Sequence, residues 1–140
     1  MDKALRCINF TQAIDPATAL QVDAILFIVE DGASYEVMET NEAHTVAGSD
    51  GSAVTADLTR CAAGTAPGSG STVLSSTFNL KSTANTPVSK VRGNGLAAAQ
   101  ASRILSSGQM LCLNLTGTLT ALAGMNLNVF LKQLRPGNAR

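Results

Sequence analysis

His44 is the one histidine of the 140-residue chain, and histidine is the side chain that most readily moves protons near neutral pH. It could form a nucleophilic triad with a remote serine and with Asp50 or Asp57. However, no Gly-x-Ser-x-Gly motif marks a nucleophile, and a serine-rich chain offers such combinations by chance. We therefore predict that His44 is a polar residue of the surface or of a strand edge, and that the protein is not an enzyme.

Three glutamates, Glu36, Glu39 and Glu42, are spaced three residues apart. On a strand, Glu36 and Glu42 would point to one side and Glu39 to the other, because strand side chains alternate. A pair of carboxylates could serve glycoside hydrolysis. A solvated acidic face needs no such special arrangement, and it is the interpretation that we adopt.

Two glycine-rich loops could hold ions or phosphate groups. Gly48–Ser52 contains one carboxylate, which is too few for a calcium loop. Gly64–Gly70 lacks the lysine and the following helix of a phosphate-binding loop. Both loops are predicted to be turns, and the sequence predicts no metal and no cofactor.

The three cysteines, Cys7, Cys61 and Cys112, are widely spaced and form no Cys-x-x-Cys pair. This spacing excludes the usual zinc and thioredoxin-like motifs. Each cysteine has apolar neighbours in the sequence, so we predict buried free thiols that act as small apolar side chains, in preference to a disulfide.

Short strands must position these residues, because period-two alternation and turn residues recur along the chain. One run, Val22–Glu30, is apolar throughout and is predicted to be buried on both faces. Gly95–Leu105 is rich in alanine and is predicted to form one short helix. The predicted strands are Arg6–Phe10, Val22–Glu30, Ser34–Val46, Ser52–Arg60, Thr72–Lys81, Asn85–Arg92, Gln109–Thr116 and Met125–Leu134.

Seven or eight strands without β-α-β alternation predict an all-β fold: a two-sheet antiparallel sandwich, jelly-roll-like, with one short helix and an N-terminal arm. The length is that of one domain. We divide the chain into an N-terminal arm or edge segment (1–21), a β-sandwich domain (22–134) and a C-terminal tail (135–140).

Charge is sparse and unevenly distributed. Charged residues make up 14% of the chain, and the formal net charge is zero. All ten acidic residues lie at or before Asp57, whereas eight of the ten basic residues lie at or after Arg60. The two groups could neutralise each other within one fold, or they could form complementary surfaces that meet between subunits. The sequence leaves both open.

The same features argue against other partners. The basic residues are scattered and do not alternate with aromatic residues, so we predict no nucleic-acid binding. The longest apolar stretch, Ala24–Val29, is too short to span a bilayer. The start, Met1-Asp2-Lys3, does not resemble a signal peptide. We therefore expect synthesis in a cytoplasm and no membrane role.

Two stretches carry a family resemblance. The first consists of Glu42–Thr55, Ala66–Gly70 and Phe78–Thr86, and the second runs from Leu105 to Thr120 and on through Gly124–Leu131. Across roughly Val22–Leu134 they resemble small virion proteins of tailed phages: the jelly-roll decoration, or cement, proteins and parts of head fibres or spikes. These motifs are turn-and-strand patterns without catalytic residues.

The resemblance implies a cement protein on the outer surface of the virion, bracing joints between copies of the phage's major capsid protein. It also implies a homotrimer. The alternative is a host-recognition or attachment domain of a tail or head fibre. For partner binding we predict Cys7, Ile8 and Phe10 of the N-terminal arm, together with pairing along exposed strand edges.

Overall fold

The structure is a computed structural model that describes residues 5–11 and 23–137. The described residues form ten strands: β1 (Leu5–Thr11), β2 (Asp23–Ile28), β3 (Ser34–Ala43), β4 (Thr55–Cys61), β5 (Ser71–Thr72), β6 (Phe78–Asn79), β7 (Val88–Val91), β8 (Ile104–Ser106), β9 (Met110–Thr116) and β10 (Asn126–Arg135). Two short 3-10 turns, Pro67–Ser69 and Gln100–Arg103, lie between them.

The strands form two antiparallel sheets. Sheet A has the order β1-β10-β3-β7, with β8 also paired to β3. Sheet B has the order β2-β9-β4-β5, with β6 also paired to β4. The first strand thus lies beside the last in sheet A, and the second lies beside the ninth in sheet B. This nesting of early with late strands across two sheets is the winding of a jelly roll, so the predicted all-β sandwich is confirmed.

One apolar core fills the space between the sheets. Its largest fully buried members include Tyr35, Phe78, Leu58, Leu113 and Met125. Ile8, Phe10 and Phe27 are partly buried and pack against this core from the strands β1 and β2. Alternating positions of β4, β9 and β10 supply the buried leucines and valines, which is what the period-two patterns predicted.

The predicted helix over Gly95–Leu105 is wrong. Gly95 has φ +97°, a left-handed conformation outside any right-handed helix. The buried Arg103 side chain donates from Nη1 to the carbonyl oxygens of Ala97 (2.5 Å) and Ala98 (3.0 Å). Leu105 pairs with Tyr35 in β8. These tertiary contacts outweigh the modest helix propensity of the alanines.

Two strand predictions also need correction. β2, in the predicted run Val22–Glu30, is an edge strand that pairs only with β9 in the described part. Its residues Ile25 and Ile28 are exposed, so the strand is not buried on both faces. The predicted strand Thr72–Lys81 contains only the end of β5 and the two-residue β6, because the chain leaves the ladder of β4 between them.

A β-bulge in β3 changes which side chains face the core. Opposite it, β10 residues Phe130 and Leu131 pair with Glu39 and Val37, so Met38 is the extra residue. Beyond the bulge the alternation is shifted by one position. Glu42 therefore points inward, whereas Glu36 and Glu39 point outward. The strict alternation predicted for the three glutamates is wrong for this reason.

Candidate interaction surface

The residues with catalytic side-chain types meet inside the core. His44 and Glu42 are 1% and 2% exposed, and His44 Nδ1 lies 2.8 Å from Glu42 Oε1. His44 Nε2 lies 3.0 Å from the carbonyl oxygen of Ser82. The prediction of a polar surface or strand-edge histidine is therefore wrong, because the shift at the bulge turns this end of β3 inward.

The geometry of His44 fixes its proton-bearing atoms. The Ser82 carbonyl can only accept, so Nε2 carries a proton and donates it. One further proton is shared between Nδ1 and Glu42 Oε1. Burial raises the pKa of the Glu42 carboxyl above its ordinary value, more than the hydrogen bond from His44 lowers it. Both ring nitrogens are thus occupied within the fold, and the contact to Ser82 is with its carbonyl, so the arrangement is not a nucleophilic triad.

The acidic face predicted from the glutamates is also wrong. Glu36 is 6% exposed and accepts a hydrogen bond from Gln100 Nε2 at 2.6 Å, because the 3-10 turn Gln100–Arg103 lies over this end of sheet A. Glu42 is buried beside His44. Within the described ranges no group of three His, Cys, Asp or Glu side chains could hold a metal ion.

The cysteines divide into two kinds. Cys61 and Cys112 are fully buried free thiols, as predicted, and burial together with a hydrogen bond to Cys61 raises the pKa of Cys112 to about 12. Cys7 is exposed, so the prediction of burial is wrong for this residue. Cys7 lies on the edge strand β1, opposite Phe130, and its side chain points away from the core.

Sheet B has a cover of its own over its outer surface. The loop 62–70 folds across the outward side of β4. Thr59 Oγ1 donates to the carbonyl oxygen of Pro67 at 2.8 Å, and Cys61 Sγ donates to that of Ala66 at 3.7 Å. The last residue of this loop, Gly70, must be glycine, since a Cβ there would lie 2.5 Å from Cys61 Sγ. This cover, the residues 62–70, buries both cysteines.

Most of the outer surface of sheet A has no such cover from the described part of the chain. We call this surface the bare face. The strand registers define it by its outward side chains: Leu5, Cys7, Asn9 and Thr11 of β1, Asn126, Asn128, Phe130 and Lys132 of β10, Glu39 and Asn41 of β3, and Ser89 and Val91 of β7. All twelve are exposed or only half-buried.

The centre of the bare face is a row of amide side chains that bind one another. Asn9 Nδ2 donates to Asn128 Oδ1 at 2.8 Å and to Asn126 Oδ1 at 3.1 Å. Asn128 Nδ2 donates in turn to Asn41 Oδ1 at 3.1 Å. The row therefore crosses three strands and holds the side chains in fixed positions. A flat surface with few charges and ordered polar groups is suited to contact with another protein.

The predicted partner-binding residues separate in the structure. Cys7 lies on the bare face, whereas Ile8 and Phe10 point inward and pack against the core. The neighbours of Cys7 on this face are Phe130 on β10 and, beyond it, Glu39 on β3. The sequence showed alternation in β10 but not which strands lie beside it, so the bare face was not predicted.

The fold and the surface together define a jelly-roll sandwich with one covered and one bare outer face. Among the described residues, no helix has the length and apolar character needed to cross a membrane. No protein-family model matches the chain, and no curated protein sequence does.

Solved structures do resemble it. A chain from the structure described as "Capsid of Ralstonia phage GP4" superposes with a TM-score of 0.62 and 13% identity, over 99% of this chain and 88% of that one. This likeness shows the fold, and the coverage shows that the two chains are of similar length.

Two structures of infectious bursal disease virus, strains Gx and Gt, give TM-scores of 0.36 and 0.30 at 16% and 17% identity. They cover 92% and 91% of this chain but only 32% and 35% of their own. These two likenesses are too weak to support a conclusion.

Proposed function

We propose that this protein is a structural part of a phage virion, and specifically a decoration, or cement, protein. It binds the outside of the capsid as a homotrimer and braces the joints between copies of the major capsid protein. The observation that carries the proposal is the fold shared, along nearly the full length of both chains, with a chain of a phage capsid structure.

The surface chemistry supports a structural role over a catalytic one. The His44–Glu42 pair is satisfied within the core, where no substrate reaches it. The bare face offers an ordered row of asparagines beside Cys7 and Phe130, and it carries only two charged side chains, Glu39 and Lys132. We propose that the bare face is the surface that lies against the capsid.

Such binding stabilises a shell by mass action. A packaged genome loads the contacts between capsid subunits, and a protein that binds across such a contact only when it is intact adds its binding free energy to that contact. Three linked copies multiply weak individual contacts through avidity. Synthesis in the host cytoplasm and binding after the shell has formed are consistent with this role.

The second candidate function is a host-recognition domain of a tail or head fibre. The jelly-roll fold serves such attachment as well. The two functions differ in copy number: cement predicts hundreds of copies per particle and no affinity for cell-surface glycans, whereas a fibre domain predicts a few copies and measurable glycan binding.

The test measures copies per purified virion by quantitative mass spectrometry and compares intact particles with particles that lack the protein under osmotic shock. We expect hundreds of copies and rupture of the depleted particles. A few copies per virion, or depleted particles as robust as intact ones, would contradict the cement function.

A pair of variants tests the bare face itself. Cys7→Arg adds a bulky charge at an exposed position of the bare face, and Ser69→Arg adds the same charge to the exposed cover of sheet B. We expect Cys7→Arg to weaken binding to depleted particles by at least about tenfold, which corresponds to about 1.4 kcal/mol, while Ser69→Arg binds like the wild type.

A further inference from the structure

Exposed apolar side chains are concentrated on two opposite edges of the sandwich. Leu5, Ile25 and Ile28 are 59%, 56% and 64% exposed and lie on β1 and β2, the edge strands on one side. Val88 and Val91 are 36% and 38% exposed and lie on β7, at the other edge of sheet A. Val46 is the one further exposed large apolar residue in the described ranges.

The first edge, which we call the open edge, consists of β1 and β2. These strands end both sheets on the same side, and among the described residues no strand pairs with their outer sides, where backbone groups can accept a further strand. Neither contains lysine or proline in its described residues, the usual protection of an exposed edge. A bulge between Ile25 and Phe27 turns both Ile25 and Ile28 outward, opposite Cys112 and Met110. The open edge therefore has the character of a contact surface.

The exposed charges at the open edge are mostly acidic. Asp23 begins β2, and Glu30 and Asp31 follow its end; all three are exposed. Two basic residues also lie here: Arg6, whose guanidinium carbon is 5.9 Å and 5.4 Å from the ring centres of Phe27 and Tyr35 and which interacts with the charge of Glu30, and the half-buried Lys132, which is opposite Leu5. Among the exposed charges that border the apolar side chains of the open edge, carboxylates are thus in excess.

The second edge, which we call the β7 edge, has the opposite charge. Arg92 directly follows β7 and is exposed, and Lys81 follows β6 at the same side of sheet B and is exposed too. Three half-buried carboxylates lie near this edge: Asp57 accepts a hydrogen bond from Thr72, Asp50 interacts with the charge of Lys81, and Glu39 is opposite Val91. The fully exposed charges that border Val88 and Val91 at the β7 edge are therefore cations.

The uneven charge along the sequence thus becomes two complementary edges in the fold. Between described residues, the one ion pair within 4 Å is His44–Glu42, so the charges of the two edges form no close ion pairs within these parts of the chain, and Arg6 with Glu30 and Lys81 with Asp50 interact only at longer range. A second copy of the chain supplies a matching surface for each edge, apolar against apolar and acid against base.

We propose that copies of this protein bind one another head to tail, with the open edge of one copy against the β7 edge of the next. Such a contact is heterologous, because the two surfaces differ, and it forms a closed ring when the rotation between copies allows. The inference rests on the proposed function only for the number of copies, because a closed ring of three copies would be the homotrimer proposed there. The edges meet laterally, so the contact takes Leu5 and Val91 at the two margins of the bare face and leaves its centre, around Asn9 and Asn128, free for the capsid.

Two variants that each disable one edge test the proposal. Ile28→Arg places a cation on the open edge, where it would face Arg92 of the neighbour. Arg92→Glu places an anion on the β7 edge, where it would face the carboxylates. Both positions are exposed, so both variants should fold, which far-UV circular dichroism checks. Sedimentation velocity then measures association of each variant, of their mixture and of the control Ser69→Arg.

We expect wild type and Ser69→Arg to associate, each edge variant alone to associate at least about tenfold more weakly, and the mixture to recover association. Recovery follows because Arg92→Glu keeps an intact open edge and Ile28→Arg keeps an intact β7 edge, so the two variants can bind each other through these edges. Raising the salt concentration should weaken wild-type association, since exposed charges are screened.

The proposal is overturned if Arg92→Glu associates as strongly as wild type, which would mean an isologous contact, or if the mixture fails to recover. It is also overturned if wild type remains monomeric up to about 1 mM, a concentration that corresponds to a binding free energy of about 4 kcal/mol. Because Cys7 lies on β1, the self-association of Cys7→Arg is measured as well as its capsid binding. Capsid binding lost with self-association retained, or the reverse in Arg92→Glu, distinguishes loss of the proposed function from loss of this contact.

Discussion

Glu42 and His44 form a buried pair of titratable side chains whose hydrogen bonds are made within the fold. The pair lies in the core at 2.8 Å and carries one shared proton, so removing one partner leaves the other buried without its hydrogen bond. Glu42 Oε2 and Ser82 Oγ are also buried and lack hydrogen-bond partners among the described residues. Burying a polar group lowers the free energy of unfolding unless the group forms hydrogen bonds within the fold.

We predict that His44→Leu lowers the free energy of unfolding by about 3 kcal/mol, because it leaves the Glu42 carboxyl buried alone. The double variant Glu42→Met/His44→Leu should regain much of this loss, since an apolar pair of similar size needs no hydrogen bonds. Urea denaturation at neutral pH measures both.

The control is Thr83→Leu, an exposed position next to Ser82, which should change stability by no more than about 0.5 kcal/mol. A double variant as unstable as His44→Leu would show that the carboxyl left alone is not the cause of the loss.

At the scale of single residues, the sequence predicted those properties that depend on neighbouring residues in the chain. Free buried thiols at Cys61 and Cys112 followed from their apolar neighbours. The positions of Cys7 and His44 did not follow, because each depends on a tertiary feature: β1 ends a sheet, and a bulge at Met38 turns the end of β3 inward. A single extra residue in a strand leaves no signature in a hydrophobic pattern.

At the scale of elements, long alternating segments were predicted well and short or irregular ones were not. β9 and β10 follow the alternation of leucine and valine with polar residues, and both were found where predicted. The segment Gly95–Leu105 has the composition of a helix but forms a loop and the 3-10 turn Gln100–Arg103, in which Arg103 binds the carbonyl oxygens of Ala97 and Ala98. Propensity failed here because a buried guanidinium binds the carbonyls that a helix would need.

Arg103→Leu tests this explanation. The change leaves the carbonyl oxygens of Ala97 and Ala98 without the guanidinium, and hydrogen bonds to a charged group contribute about 1.5 to 3 kcal/mol. We predict a loss of about 2 kcal/mol or more in thermal unfolding followed by circular dichroism, with the spectrum of the folded protein remaining that of a β protein.

The matched control is Arg135→Leu, at the exposed end of β10, which should change stability by no more than about 0.5 kcal/mol. Equal effects of the two substitutions would mean that Arg103 does not hold the segment in place.

At the scale of the whole molecule, the two outer faces differ in their cover and the two edges differ in the charge of their exposed side chains. The chain covers sheet B with its own residues 62–70 and leaves most of sheet A uncovered within the described ranges. The open edge and the β7 edge carry opposite charge and most of the exposed apolar side chains. A subunit of this kind can lie on a shell with its bare face inward and contact its neighbours through its edges.

The sequence indicated the sandwich but not this arrangement of surfaces. Composition showed that charge is scarce, and the order of acidic and basic residues left open whether the two groups neutralise each other within one fold or form complementary surfaces between subunits. Which side chains share a face depends on the strand order, and the strand order of a jelly roll pairs residues more than a hundred positions apart, such as Cys7 and Phe130. Local patterns cannot report such pairs.

The central claim is that the bare face lies against the capsid, and the thiol of Cys7 reports on it directly. Cys61 and Cys112 are fully buried and Cys7 is exposed, so Cys7 is the thiol of the three that a reagent in solution reaches. Maleimide labelling of the free protein and of intact particles is compared by mass spectrometry, with Ser69→Cys on the cover as the control. We predict labelling of Cys7 at least about tenfold slower on particles than in free protein, while the thiol in Ser69→Cys reacts equally in both. Equal labelling of Cys7 in the two states would contradict the claim.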